Sequence, residues 1–151
     1  MDIEKAEQMA KELIKEHCPE YRFRFNKCHR ACGLCKPSKK LIELSIDYAK
    51  LNDEEEVRDT ILHEIAHALI PGAKSHGWKW KEKAKELGCS ANRCRDSDTI
   101  NMPKGRFKYI CPNCGKEIGF FRRPKVRKAC RECCTKYNGG RFSERFVFTE
   151  V

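Results

Sequence analysis

His63, Glu64 and His67 are the only polar side chains in the run ILHEIAHALI, residues 61–70. On a helix, residues four apart lie one turn apart on one face, so the two imidazoles can close on a single zinc ion. Glu64 lies close to that face and can act as general base toward a water that the ion activates. The rest of the run is apolar nearly all round, which predicts a buried helix. Burying three ionisable groups without a chemical use is costly, so the pattern points to hydrolysis. A catalytic zinc takes three protein ligands and keeps a fourth position for water. For the third ligand the chain offers His76, at the head of the segment SHGWKWKEKAKELG, and further on Glu82 or Glu86. A third histidine six residues after His67 is not available, because position 73 is alanine. A histidine opening the next helix can face the first pair after the turn at Pro71-Gly72, which favours His76.

The chain has 11 cysteines and no apolar signal core at its start, so metal is expected rather than disulfides. Cys111-x-x-Cys114 and Cys130-x-x-Cys133 stand 15 residues apart, the spacing of a zinc ribbon whose two knuckles close a structural tetrahedral site. Cys134 adjoins Cys133 and could replace it. Strands are expected at FKYI before the first knuckle, IGFF after it and RFVFT at the end. Cys28, Cys32, Cys35, Cys89 and Cys94 have looser spacing. Four of them could form a further metal site or an oxidisable cluster, or, like Cys18, they could be small reduced core residues.

Charge is unevenly placed. Residues 1–103 hold 19 Lys and Arg against 18 Asp and Glu, whereas residues 104–151 hold 13 against 4, so the second part carries nearly all of the net +10. Such a patch is the footprint of a polyanion partner such as DNA. The densest stretch, RRPKVRK, supplies Arg122, Arg123, Lys125, Arg127 and Lys128 as candidate DNA contacts. Phe107, Tyr109, Phe120 and Phe121 lie nearby. They can stack on unpaired bases, which favours single strands, or at least two of them can form the ribbon's own small core. No base-reading motif is visible, so binding should depend little on base sequence.

The elements that position these residues follow from periodicity. Ile3, Ala6, Met9, Ala10, Leu13 and Ile14 mark an amphipathic first helix. YRFRF and LIELSI read as strands joined by a turn rich in cysteine, glycine and lysine. The zinc helix should cover about 53–70, with Asn52 or Asp53 as N-cap and Glu55 or Glu56 three residues on. Trp80, Ala84 and Leu87 mark the next helix, Gly88 its stop. Residues 94–104 read as a linker. The fold class is α+β, with a first domain at 1–98 and a basic zinc-ribbon domain at 104–151. No apolar run is long enough to span a membrane.

From Tyr21 to Cys94 the chain resembles the SprT/Spartan family of zinc metalloproteases. The matching pieces are YRFRFN, the Gly33-Leu34-Cys35 hairpin element, LIELS, EVRDTILHEIAHAL, and His76-Gly77 followed by a tryptophan-rich helix. The resemblance implies a small zincin-type metalloprotease domain before a β zinc ribbon. It implies His63, His67 and His76 as ligands of a catalytic zinc, Glu64 as the catalytic acid–base, and LIELS near a substrate-binding edge. It also implies endopeptidase action on DNA-bound or DNA-crosslinked proteins. One catalytic and one structural zinc are expected in all, in a monomer, and the unpaired cysteines suit a reducing intracellular compartment. The extra cysteines depart from the family pattern. So does the lack of the long tail of animal Spartan proteins, and partner recruitment through such a tail is not expected. A non-catalytic nucleic-acid-binding protein and a zinc hydrolase of another amide remain as alternatives. Glu64 weighs against the first, since a structural site needs no base.

Overall fold

The first helix, α1 (Ile3–His17), begins where the Asp2 carboxylate accepts from the Lys5 backbone N–H at 3.0 Å. Ala6, Met9, Ala10, Leu13 and Ile14 are its buried stripe, as the periodicity predicts. The computed structural model describes residues 1–72, 76–91 and 100–151. They fall into two compact units, Met1–Pro103 and Lys104–Val151, each described by itself. The architecture is mixed helix and sheet, as expected. No described helix is long and apolar enough to cross a membrane.

In the first unit, strands β1 (Arg22–Asn26), β2 (Gly33–Lys36) and β3 (Leu41–Ser45) form a sheet of order β1-β3-β2. β1 runs parallel to β3 and β2 antiparallel to it. This overturns the placement of LIELS near a substrate-binding edge. β3 is the central strand with all five residues buried, and β2 is the edge that packs on the zinc helix. The stretch read from periodicity as a turn holds a strand of its own, at the Gly33-Leu34-Cys35 hairpin element. Parallel pairing of β1 with β3 needs a long crossover, and β2 with a 3-10 turn at Pro37–Lys39 makes up part of it.

Position 43 is a glutamate inside the central strand, 2% exposed. It is tolerated because Arg24 reaches it at 2.5 Å and Lys36 at 2.9 Å, from the strands on either side.

LIELSI does not continue as a strand through Ile46. The Ser45 hydroxyl accepts from the Tyr48 N–H and starts a short helix, α2 (Ile46–Leu51). Asp53 then caps α3 (Glu54–Leu69) by accepting from the Glu56 N–H at 2.9 Å. Asn52, the other candidate cap, instead donates to the Tyr48 and Asn101 carbonyls and accepts from the Asn101 N–H. α3 buries Val57, Ile61, Leu62, Ile65 and Ala66 against α1 and the sheet. Full burial of each large aliphatic side chain among them contributes about 1.5–3 kcal/mol. α4 (Trp78–Glu86) buries Trp80 and Ala84, with Leu87 partly buried just beyond. Gly88, at φ +81°, ends the run as expected. Of the expected linker, residues 92–99 lie outside the described residues. Ile100 and Met102 pack on the first unit's core.

The second unit is a sheet of order β5-β4-β6, built from β4 (Phe107–Ile110), β5 (Glu117–Phe120) and β6 (Thr149–Glu150), with helix α5 (Arg131–Asn138). RFVFT is not one strand. Its first two residues lie in a 3-10 turn and Val147 bridges Ala129, so only Thr149 of the stretch belongs to β6. α5 was not legible in the sequence, since the second knuckle runs straight into it. The core is small: Cys111, Cys130, Cys133, Cys134 and Phe146, with Ala129 and Phe148 against it. Of the four aromatics near the basic stretch, Tyr109 and Phe120 meet edge to face at 5.4 Å. Gly105 lies so close to β5 that a β-carbon there would stand 2.2 Å from the Phe120 backbone, so no larger residue fits.

Candidate active site and cysteine cluster

α3 presents His63 and His67 from successive turns, and His76 arrives from the turn that precedes α4. His76 takes a left-handed conformation, φ +59°, just before Gly77 caps the helix. That kink brings its Nε2 to 2.9 Å from His63 Nε2 and 3.2 Å from His67 Nε2. Tetrahedral zinc with ~2.0–2.1 Å bonds to nitrogen separates its ligand atoms by ~3.3 Å, so the three atoms fit one ion. Glu82 and Glu86 are exposed on α4, Glu86 is paired with Lys83, and neither joins the group.

Trp80 forms the wall of the site. It is 1% exposed, and its ring lies 4.6 Å from those of His63 and His76 and 5.3 Å from that of His67, onto which it stacks. The sequence marks Trp80 as an apolar helix position and gives no sign that it backs all three imidazoles. Burial, and then the neighbouring imidazoles, push His63 down to about 4. His67 is held at about 4 by burial and by His76. Both rings are therefore neutral near pH 7, with lone pairs available to a cation.

Glu64, the next residue after His63 on α3, is 8% exposed. Burial raises its carboxyl to about 7, and a backbone hydrogen bond from Cys35 on β2 acts against that rise. β2 can come this close because residue 33 has no side chain. A β-carbon there would stand 3.0 Å from Glu64 Cγ and 3.2 Å from Thr60 Cγ2.

In the second unit the sulfurs of Cys111, Cys114, Cys130 and Cys133 all lie within 4.8 Å of one another. Cys111 Sγ is 3.8 Å from Cys133 Sγ, and Cys114 Sγ is 3.8 Å from Cys130 Sγ. Tetrahedral zinc with ~2.3 Å bonds to sulfur requires a separation of ~3.8 Å, so this set also fits one ion. Cys134 is buried beside the group and is not part of it. Burial opposes a Cys111 thiolate, but hydrogen bonds from the Cys114 and Asn113 backbone outweigh it and bring the thiol down to about 7.

The remaining cysteines do not converge. Burial lifts Cys18 to about 11 and Cys35 to about 12, Cys89 Sγ faces the Asp59 carbonyl at 3.6 Å, and Cys32 Sγ lies 3.5 Å from Met102 Sδ. Cys28 is half-buried, and Cys94 lies outside the described residues. Among the described residues no third ligand group forms.

The five basic residues of RRPKVRK are all exposed and differ in their surroundings. Arg123 pairs with Glu150 at 3.1 Å, Arg127 with Glu144 at 2.7 Å, and Lys128 sits 5.0 Å from the Phe120 ring. Arg122 and Lys125 are exposed on the same loop. Arg106, which composition did not single out, joins Arg123 over the Phe107 ring at 4.7 and 4.8 Å.

The model of the SprT-like family matches residues 3–100. Two proteins named Protein SprT from Pseudomonas putida are each 23% identical to the chain. One aligns over 116 residues, 73% of this chain and 71% of its own length, and the other over 142 residues, 89% and 87%. A Protein SprT from Pseudomonas entomophila is 23% identical over 142 residues, again 89% of this chain and 87% of its own. Since the family match runs from α1 through the sheet and past both histidine-bearing segments, the chain belongs to the SprT-like family.

Proposed function

We propose that this chain is a zinc-dependent endopeptidase that cuts proteins bound or crosslinked to DNA, and that its second unit holds the DNA. Membership of the SprT-like family supports a SprT-type metallopeptidase-like function. The observation that carries the reading is the meeting of three imidazole nitrogens one helix position away from a buried carboxylate. Bound by His63, His67 and His76, zinc supplies Lewis acidity toward a carbonyl and toward water. Glu64, with a pKa near 7, is suited to take a proton from the attacking water and return it to the leaving amine. β2 is a sheet edge beside Glu64, where an extended peptide can add by backbone hydrogen bonds. Cys111, Cys114, Cys130 and Cys133 would hold a second, structural zinc.

DNA as partner is supported by the second unit's 13 Lys and Arg against 4 Asp and Glu, and by Arg122, Arg123, Lys125, Arg127 and Lys128 on one loop. Half-buried aromatics beside them favour single strands. The free thiols suit a reducing intracellular compartment.

The test is cleavage of a DNA-binding protein, with and without single-stranded DNA, by the parent and by Glu64→Gln. The variant keeps size and helix but removes the base, so a loss of about 100-fold or more is expected, with zinc content unchanged. Equal rates for the two proteins would sink the proton-transfer role. Rates indifferent to DNA would sink the choice of substrate.

A further inference from the structure

The first unit is near neutral as a whole, with 19 Lys and Arg against 18 Asp and Glu over residues 1–103, yet one segment of it is wholly basic. α1 mixes Glu4, Glu7, Glu12 and Glu16 with Lys5, Lys11 and Lys15, and α3 starts with Glu54, Glu55 and Glu56. Residues 21–42, which cover β1, β2 and the turn after it, hold seven Lys and Arg and no Asp or Glu.

Strand register sorts these cations. Side chains alternate across a sheet, and Arg22 and Lys36 both pair with Leu41 while Arg24 and Leu34 both pair with Glu43. Arg22, Arg24, Lys36 and Leu34 therefore share the face opposite Gly33, which packs against α3. Lys39 and Lys40 adjoin them, since the Arg22 N–H donates to the Lys40 carbonyl at 2.9 Å.

We propose that this outer sheet face, formed by Arg22, Arg24, Lys36, Lys39 and Lys40, is a second surface for the phosphate backbone of DNA. The inference rests on the reading of DNA as partner. The three strands carry one carboxylate, Glu43, which is 2% exposed and engaged by Arg24 and Lys36. Arg22, Arg24, Lys39 and Lys40 are exposed, and Arg22 and Arg24 repeat along β1 at roughly 6.6 Å, a regular row that suits a polymer of charges. Leu34 is the one large apolar side chain exposed on this face, at 43%, too little to anchor in a bilayer. Position also fits the chemistry. Lys36 lies three residues along β2 from Gly33, about 10 Å, and Gly33 touches Glu64. DNA seated here would raise the local concentration of any protein it carries at the site.

The experiment is a salt titration of the full, zinc-loaded chain on a labelled single-stranded oligonucleotide. Four proteins are compared: the parent, the loop variant (Arg122, Arg123, Lys125, Arg127 and Lys128 to Ala), the sheet variant Arg22→Glu/Lys39→Glu/Lys40→Glu, and the combination. The sheet variant spares Arg24 and Lys36, so Glu43 keeps its partners. It should bind at least tenfold more weakly at about 0.1 M salt. Its slope of log affinity against log salt should be shallower by about 2, from ~0.7 per lost phosphate contact. The same change should appear in the loop-variant background, and peptide cleavage should stay at the parent level. If charge reversal lowers the melting temperature, the triple glutamine variant takes its place and should give the same slope. Unchanged affinity and slope, with the loop variant weakened, would overturn the second surface and leave the DNA reading intact. A parent that binds no DNA would overturn both. Loss of binding to phosphatidylserine vesicles with DNA binding unchanged would assign the face to a membrane and overturn the inference.

Discussion

Placing a methyl group at position 33 would push against Glu64 without touching an imidazole. The added carbon would stand 3.0 Å from Glu64 Cγ, 3.2 Å from Thr60 Cγ2 and 3.3 Å from the Glu43 carbonyl oxygen, tighter than ordinary contact. Gly33→Ala is therefore expected to lower kcat about tenfold, with KM little changed and zinc content equal to that of the parent. Steady-state kinetics with metal analysis would check this, and a matching loss of zinc would point to a wider disturbance. At this scale the sequence reveals what helix geometry fixes. His63, Glu64 and His67 need only the i, i+4 spacing, and His76 needs only a turn short enough to bring it back. Gly33 and Trp80 were not legible as site residues, because their roles lie in contacts with α3 from other elements. A glycine in a cysteine-rich turn and a tryptophan at helical spacing carry no sign of what they will touch.

The central strand gives a second expectation, for stability against pH. Burial would raise the Glu43 carboxyl, but hydrogen bonds from Lys36, Arg24 and Asn26 outweigh it and hold the group below the ordinary glutamate range. A folded-state value below the unfolded one adds stability that is complete above the unfolded pKa and lost as pH falls through the folded one. The parent should thus lose stability faster on acidification than Glu43→Gln. At neutral pH that variant should be less stable by ~1–3 kcal/mol, because Arg24 and Lys36 can return to water. Urea melts of both proteins across the acid range would test this, and parallel curves would refute it. α1, α3 and α4 were legible because each has a long stripe at helical period. α2, α5 and β2 were not: each has between four and eight residues, and their type is set by a Ser45 cap, a metal knuckle and a neighbouring strand.

For the molecule as a whole, the two units should respond differently to loss of metal. The second has a core of four cysteines and one phenylalanine, so its metal would be much of its folding free energy. The first has a large aliphatic core that does not depend on the histidines. Purified protein should contain about two zinc ions. Mild chelation should remove the histidine-bound ion first, since the four-cysteine set is closed. Exhaustive chelation should unfold the second unit alone, visible as loss of dispersed amide signals from residues 104–151. One zinc or none per chain would refute the two-site reading. Neutralising Arg122, Arg123, Lys125, Arg127 and Lys128 should weaken DNA binding and flatten its salt dependence, while a small free peptide is cut as before. Equal salt slopes for parent and variant would move the contact elsewhere. Net charge pointed to the ribbon loop, but by summing over the first unit it hid the basic sheet face, which emerges only when the strands are laid side by side.

Asn52 and Asn101 exchange hydrogen bonds of 2.8 and 2.9 Å, and Asn101 stands two residues before the end of the first unit. Mechanical load arriving along the chain from the second unit would meet this clamp before it reached α4 or the histidines. Two such bonds yield far more easily than a sheet sheared along its strands. Asn52 would then act as a fuse: a pull from the second unit would break its bonds to Asn101 before it strained the geometry around Glu64.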